Sequence, residues 1–318
     1  MDTDRSSHSA EFIESALEDR PYQVLESLGR GGVGSVWRVK DRVTERYLAL
    51  KVMHHHLVND PFFTDRFRLE AEAMASLEHP NIPAVVDYWV AEDGRHCLLL
   101  ELLEGRTLYD EIAQRTRLPI GEVVDTVCQL LDALAATHAA GLVHRDIKPE
   151  NLFLHLDGEP GKIRVKLLDF GLIRVLPTKP AGRLQPMMPT QSGSVITSPR
   201  FASPEALLGR RIDQRADIYS VGVVMYVCLV GLYSGFDMAT GPTFSPPSEL
   251  GVEGCTQELD EVILRAVDSN PDQRFQTAEE FLRALAPHRP VRNEQSNQSP
   301  PSFLQIGKEL WRKYVAGK

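Results

Sequence analysis

Residues 144–154 read HRDIKPENLFL, and they decide how the rest of the chain is parsed. Asp146, Lys148 and Asn151 fall within six residues, after a helical pattern and before a strand pattern. A carboxylate, an ammonium and a carboxamide held so close suit transfer of a phosphoryl group. The carboxylate can orient a hydroxyl and accept its proton, the ammonium can offset charge on the moving group, and the amide oxygen can ligate a hard cation. Eighteen residues beyond Asn151, the run LLDFG supplies Asp169 as a second hard oxygen ligand.

Toward the N-terminus, LGRGGVGSV places Gly29, Gly31 and Gly34 in G-x-G-x-x-G spacing, followed by Val36. Dinucleotide sites share this spacing, but they need a helix directly after it and an acidic residue about 20 positions on. Here SVWRVKD alternates like a strand, and Lys51 stands 22 residues after Gly29. Glycines between two antiparallel strands let backbone N–H groups approach phosphate oxygens, while Lys51 adds charge; a plain glycine hairpin is the simpler alternative. A lysine with that task must be aimed. In RFRLEAEAMASLEHPNI, Phe67, Met74 and Leu77 share one face at about 100° per residue. Glu70 lies within that arc and is expected inside, whereas Glu72 points to solvent.

Composition sets bounds. The 318 residues are 42% hydrophobic and 25% charged, as in an ordinary globular protein. A net charge of −9 argues against general binding of nucleic acid. Cys97, Cys128, Cys228 and Cys255 are far apart without C-x-x-C spacing, as expected of reduced thiols in the cytoplasm. The adjacent His54, His55 and His56 cannot all face one metal and are expected in an exposed loop.

The first 20 residues are expected to be a flexible acidic segment with room for a short helix, and they have no apolar core for a signal peptide. Residues 21–103 read mainly as strands (YQVLESLG, GSVWRVKD, RYLALKVM, HCLLLELL) with one helix near 62–77. Residues 104–288 read mainly as helices, with short strands at NLFLHL and IRVKLLD. The apolar run 218–232 is 15 residues long, too short for a membrane span of about 20, and is expected to be a buried helix. No transmembrane segment is expected.

With these motifs in order, the chain resembles eukaryotic-like (Hanks-type) protein kinases over roughly residues 22–288, and most of all their bacterial serine/threonine branch. The resemblance implies an α+β, bilobal protein kinase fold, with a small β-rich N-lobe carrying one helix and a larger, mainly helical C-lobe. It implies transfer of the γ-phosphoryl group of ATP, with Mg2+ or Mn2+, to protein substrates. Gly29, Arg30, Gly31, Gly32, Val33, Gly34, Val36 and Ala49 would surround the nucleotide. Leu100 would be the gatekeeper, with Glu101 to Leu103 the hinge that meets adenine. Lys51 would hold the α/β-phosphates and pair with Glu70. Asp146 would be the base with Lys148 beside it, and Asn151 and Asp169 the metal ligands. Arg145, Glu205, Asp217 and Arg274 would be supports, Asp217 bracing the catalytic loop and Arg274 pairing with Glu205. A nucleotide-binding scaffold without transfer is the alternative.

Asp169 and Glu205 bracket a Pro-, Ser- and Thr-rich stretch that the resemblance makes the activation segment. Thr190, Ser192, Ser194, Thr197 and Ser198 are its candidate phosphorylation sites, with Arg145 beside the catalytic Asp as the basic group to meet a phosphate. Two departures bear on substrate choice. Thr197-Ser198-Pro199 stands where relatives carry Gly-Thr, and VGLYSGFD lacks the proline of G-x-x-P-F. In the 289–318 tail, Ser302 and Gln305 fit a capping box for a helix over about 302–316. Phe303, Leu304, Ile306, Leu310, Trp311, Tyr314 and Val315 fall on one broad face of it. That face is expected to dock on the chain's own lobe, on a partner protein or on a membrane surface.

Overall fold

A computed structural model describes residues 13–17, 20–158, 162–170, 174–175, 200–231, 236–237 and 241–289. They form two units. The first comprises the residues up to Leu103 with Asp169 and Phe170; the second comprises Glu104 to Leu168 and the residues from Arg174 onward. The candidate phosphorylation sites Thr190, Ser192, Ser194, Thr197 and Ser198, Pro199 and the tail helix lie outside the described residues.

The first unit is built on an antiparallel sheet of β1 (Tyr22–Arg30), β2 (Gly34–Asp41), β3 (Tyr47–Met53), β4 (Val85–Val90) and β5 (His96–Glu101), in the order β1-β2-β3-β5-β4. Alternation along β2 and β3 sends Trp37, Val39, Leu48, Leu50 and Val52 to one buried face, joined there by Cys97 and Leu99 of β5. The opposite face of β5 carries His96, whose ring lies 5.9 Å from that of Phe67 on α1 (Pro61–Ala75). Asp60 accepts from the Phe62 N–H and Pro61 opens the first turn, which explains where α1 starts.

Part of the acidic lead-in forms a short 3-10 turn, Ser15–Leu17, and Ile13, Ala16 and Leu17 are buried in the core of this sheet face. Their i, i+3, i+4 spacing makes an apolar stripe inside an acidic segment, and it covers Trp37 and Trp89. Trp89 Nε1 donates to the Ala16 carbonyl at 3.1 Å, and Arg95, 1% exposed, donates to Ser15 Oγ at 2.8 Å. Strand β4 was absent from the sequence pattern because its register against β5 shifts between Val85 and Asp87, which breaks the period of two.

The second unit is mainly helical. Its elements include β6 (Gly105–Thr107), α2 (Leu108–Arg115), α3 (Ile120–Ala139), β7 (Leu142–Val143), β8 (Leu152–Leu156), β9 (Ile163–Leu167) and β10 (Arg174–Val175). They continue with α4 (Pro204–Leu207), α5 (Arg215–Val230), α6 (Gln257–Ala266) and α7 (Ala278–Leu285). Strands β6, β8 and β9 form one small sheet, while β7 pairs with β10. Thr107 and Asp110 make a reciprocal capping box on α2, and Thr256 and Thr277 cap α6 and α7.

Every residue of α5 from Ala216 to Val230 is buried, as its lack of a polar face requires. Gly222 lets α6 come close: a Cβ there would stand 2.8 Å from both the Ala266 Cβ and the Val267 Cγ1. Among the described residues no helix is long and apolar enough to cross a membrane. The fold class is α+β.

Candidate active site

In the first unit, strand β3 carries Lys51 and α1 carries Glu70. Lys51 Nζ lies 2.6 Å from Glu70 Oε1 and 3.0 Å from Asp169 Oδ1. Glu72, on the opposite side of the helix, pairs instead with Arg68 at the surface. Burial works against the Lys51 charge, but Glu70 and Asp169 outweigh it and hold the ammonium above its ordinary range. Burial pushes the Glu70 carboxyl up; Lys51 pulls against this, and Asp169 adds to the push. The Lys51 shift comes from the two carboxylates that share it, and the Glu70 shift first from burial and then from Asp169. Asp169, with its side chain 52% exposed and its φ at 63°, is the open member of the cluster.

The glycine loop joins β1 to β2, and its glycines are not equivalent. A Cβ on Gly34 would stand 2.3 Å from the Val52 carbonyl oxygen, so close pairing with β3 demands glycine there. A Cβ on Gly29 or Gly32 would meet nothing within 4 Å, and one on Gly31 only the Gly34 oxygen at 3.8 Å. Packing therefore gives no reason for those three glycines, whereas a phosphate pressed against the backbone does. Among the described residues the amides of Gly32 and Val33 have no protein acceptor. Open backbone, a buried cation and an exposed carboxylate fit a polyphosphate with a divalent metal ion. Among the described residues no group of three His, Cys, Asp or Glu side chains could hold a metal by itself.

Ala49 pairs with Leu100 across β3 and β5. At the end of β5 the Glu101 N–H donates to the Ala84 carbonyl and Glu101 Oε1 accepts from the Ala84 N–H, both at 3.0 Å. Arg30 ends β1 opposite Ser35, Val36 pairs with Lys51, and Leu103 closes the first unit.

In the second unit, the loop after β7 brings Asp146, Lys148 and Asn151 together. Lys148 Nζ lies 2.9 and 3.1 Å from the two Asp146 carboxylate oxygens. Asn151 Nδ2 donates to the Asp146 carbonyl at 2.8 Å and to Asp146 Oδ2 at 3.0 Å. Because the nitrogen faces Asp146, the carboxamide oxygen is the atom left for a cation. His144 Nε2 donates to the Leu168 carbonyl at 3.1 Å while its Nδ1 accepts the Asp146 N–H at 3.3 Å, which defines the neutral Nε2–H tautomer.

Behind the loop stands Asp217, fully buried on α5. Its Oδ2 accepts from the His144 N–H at 2.9 Å and from His138 Nε2 at 2.8 Å, and its Oδ1 accepts from the Arg145 N–H at 2.8 Å. These bonds hold Arg145 at φ 68°, a left-handed conformation that bends the chain just before Asp146. Burial alone would push the Asp217 carboxyl up, but the bond and charge of His138 and the neighbouring donors hold it below its ordinary range. Arg274 makes two 2.8 Å bonds to Glu205, one to each oxygen, and a third to the Arg215 carbonyl at 3.0 Å. Burial opposes the Glu205 charge and the Arg274 bonds override it, leaving that carboxyl below its usual range.

Two partners in these clusters had no signal in the sequence pattern. His138 is an ordinary helix residue by periodicity, and only its 79-residue separation from Asp217 in the chain hides their contact. His55 and His56 are exposed, as expected, while His54 is half-buried at the entrance to a 3-10 turn, His55–Leu57, with its ring against the glycine loop.

A family profile described as "Protein kinase domain" matches residues 22–240. The chain belongs to the protein kinase family. It is 37% identical over 275 residues to "Serine/threonine-protein kinase PknL" of Mycobacterium tuberculosis, covering 84% of this chain and 65% of that protein. It is 34% identical over 294 residues to "Serine/threonine-protein kinase pkn3" of Myxococcus xanthus, covering 88% of this chain and 52% of the relative. The chain thus spans about half to two thirds of the length of these curated relatives. Among solved structures, the PknI kinase domain of Mycobacterium tuberculosis matches with a TM-score of 0.62 at 28% identity, covering 83% of this chain and 95% of that one.

Proposed function

We propose that this chain is an active serine/threonine protein kinase that moves the γ-phosphoryl group of Mg-ATP to serine or threonine hydroxyls of proteins, its own 169–205 segment included. The observation that carries this is the Asp146 cluster: a carboxylate gripped by Lys148 and Asn151 and braced from behind by Asp217.

The roles follow from the residues. The amides around Gly32 and the Lys51 ammonium bind phosphate oxygens and fix the nucleotide. Asp146 orients the incoming hydroxyl and takes its proton. The hydroxyl oxygen forms the new bond to phosphorus, the bond from phosphorus to the bridging oxygen breaks, and ADP leaves with that electron pair. Lys148, beside Asp146, stabilises charge on the moving group. Asn151 and Asp169 offer hard oxygens to the metal ion, which when bound draws charge off the phosphates. Arg145 and the Glu205–Arg274 pair act by holding backbone in place. Lysine two residues after the catalytic carboxylate favours serine and threonine over tyrosine by resemblance. The names of the similar proteins support the same class.

The setting we propose is the cytoplasm, where ATP is present and thiols stay reduced. Cys97, Cys128 and Cys228 are free and buried, and burial pushes the Cys128 thiol up to about 11. Incubation with labelled ATP and a generic protein substrate, followed by phosphoamino-acid analysis, tests the proposal. Label on serine or threonine that disappears in Asp146→Asn is the expected result. Label undiminished in that variant removes Asp146 from its role, and no transfer by the wild-type chain sinks the activity.

A further inference from the structure

We infer that His54 is a positioning residue for the nucleotide, fastening the glycine loop to the end of β3 before any ligand arrives. The inference rests on the proposed nucleotide role of that loop. Its basis is one residue that bonds the loop twice. The His54 backbone N–H donates to the Val33 carbonyl at 2.9 Å, and its ring Nε2 lies 2.9 Å from the Gly31 carbonyl oxygen. A carbonyl only accepts, so Nε2 carries the proton and donates. The ring is steadied on its other side by His56, stacked with centroids 5.6 Å apart and planes 18° from parallel.

The loop has few other ties. Gly31 N–H closes a turn on the Gly34 carbonyl at 2.8 Å, and Gly34 continues into the β2–β3 ladder opposite Met53. Between them Gly32 makes no side-chain contact, and glycine loses more conformational freedom on ordering than any other residue. Whatever restricts Gly31 to Gly34 in the free protein removes part of that cost from nucleotide binding. The bond also turns the Gly31 oxygen toward a donor, so that its partial negative charge is occupied rather than offered to a phosphate. Lys51 lies on β3 three residues before His54, which directly follows the strand, so the phosphate cation and the loop fastening are joined by a short stretch of chain.

The test compares His54→Phe, which keeps a ring to stack on His56 but loses the donor, with His54→Gln, whose amide nitrogen reaches about as far as Nε2. In the nucleotide-free protein, amide hydrogen exchange over residues 29–34 is expected to quicken in His54→Phe and to match wild type in His54→Gln. Loss of one hydrogen bond of about 1 kcal/mol predicts a roughly threefold to tenfold rise in the Kd of an ATP analogue and in KM for ATP in His54→Phe. The kcat and the KM for protein substrate are expected to stay put, and His54→Gln to restore ATP binding. Equal behaviour of the two variants overturns the inference, as does faster loop exchange without a change in ATP-analogue affinity. Failure of the underlying nucleotide reading looks different: the wild-type chain and Lys51→Met would then bind the analogue equally poorly, whatever the loop exchange shows.

Discussion

The two charged clusters are built on opposite plans. Around Lys51 one cation is divided between Glu70 and the half-exposed Asp169, beside glycines whose missing side chains leave open space. Around Asp146 the groups are tied from several sides: Lys148 and Asn151 hold the carboxylate, and Asp217 holds the backbone on its N-terminal side. The first arrangement suits groups that must accept a highly charged ligand and release it. The second suits a proton acceptor whose position must not depend on what is bound. Two carboxylates sharing one cation in one cluster and a carboxylate tied from several sides in the other are therefore matched to different tasks.

The largest effect expected from breaking this contrast is at Asp146. Asp146→Asn keeps the bonds to Asn151 and removes the proton acceptor, so kcat in a phosphate-transfer assay should fall about 10²- to 10⁴-fold while ATP-analogue affinity stays near wild type. Next comes the bracing of the second unit. Arg274→Ala strands the Glu205 carboxylate in a buried site and should cost about 3–5 kcal/mol in urea unfolding. Arg274→Met with Glu205→Gln should recover part of that loss; no loss in the single variant would mean that the pair is idle.

On the first unit, Leu17→Ala should cost about 2–4 kcal/mol in the same unfolding experiment, because the side chain is buried against the sheet. An unchanged midpoint would return the segment to the flexible class. A finer test separates the glycines. Gly34→Ala must push against the Val52 backbone and should lose about 1–3 kcal/mol, whereas Gly32→Ala should leave stability nearly unchanged and weaken ATP-analogue binding.

The smallest effect is one of pH. Asp217 and Glu205 have folded-state carboxyls held below their unfolded values. The stability they contribute is then fully present above the ordinary carboxylate range and is lost as pH falls from that range through their lower folded values. Melting temperature measured from pH 7 to pH 3 should hold and then drop. The drop should be shallower in Asp217→Asn or Glu205→Gln, and an identical profile in both variants would contradict this assignment.

Much of the fold was visible in period and punctuation. Alternation marked β2 and β3, the all-apolar run marked α5, and the 100° arc distinguished Glu70 from Glu72. What escaped did so for physical reasons. The bulge in β4 erased its alternation, and the apolar stripe of Ile13, Ala16 and Leu17 was outweighed by the acidic residues around it. Three adjacent histidines carry no periodic signal that singles out His54, because its bond is to a backbone carbonyl 23 residues away in the chain.

By itself the sequence determined which chemistry is present: a carboxylate, a cation and an amide in one short loop, a lysine behind a glycine loop, and an order of motifs shared with protein kinases. Those features are local, and residue type with spacing suffices to express them. Resemblance pointed to Asp217 behind the loop and to Arg274 on Glu205, whereas only the tertiary structure gave the partners that no motif names. His138 meets Asp217 across 79 positions of chain, and Trp89 meets Ala16 across 73. Contacts at such separations form because burial leaves each polar group no partner but another polar group, and that constraint acts on the folded chain alone.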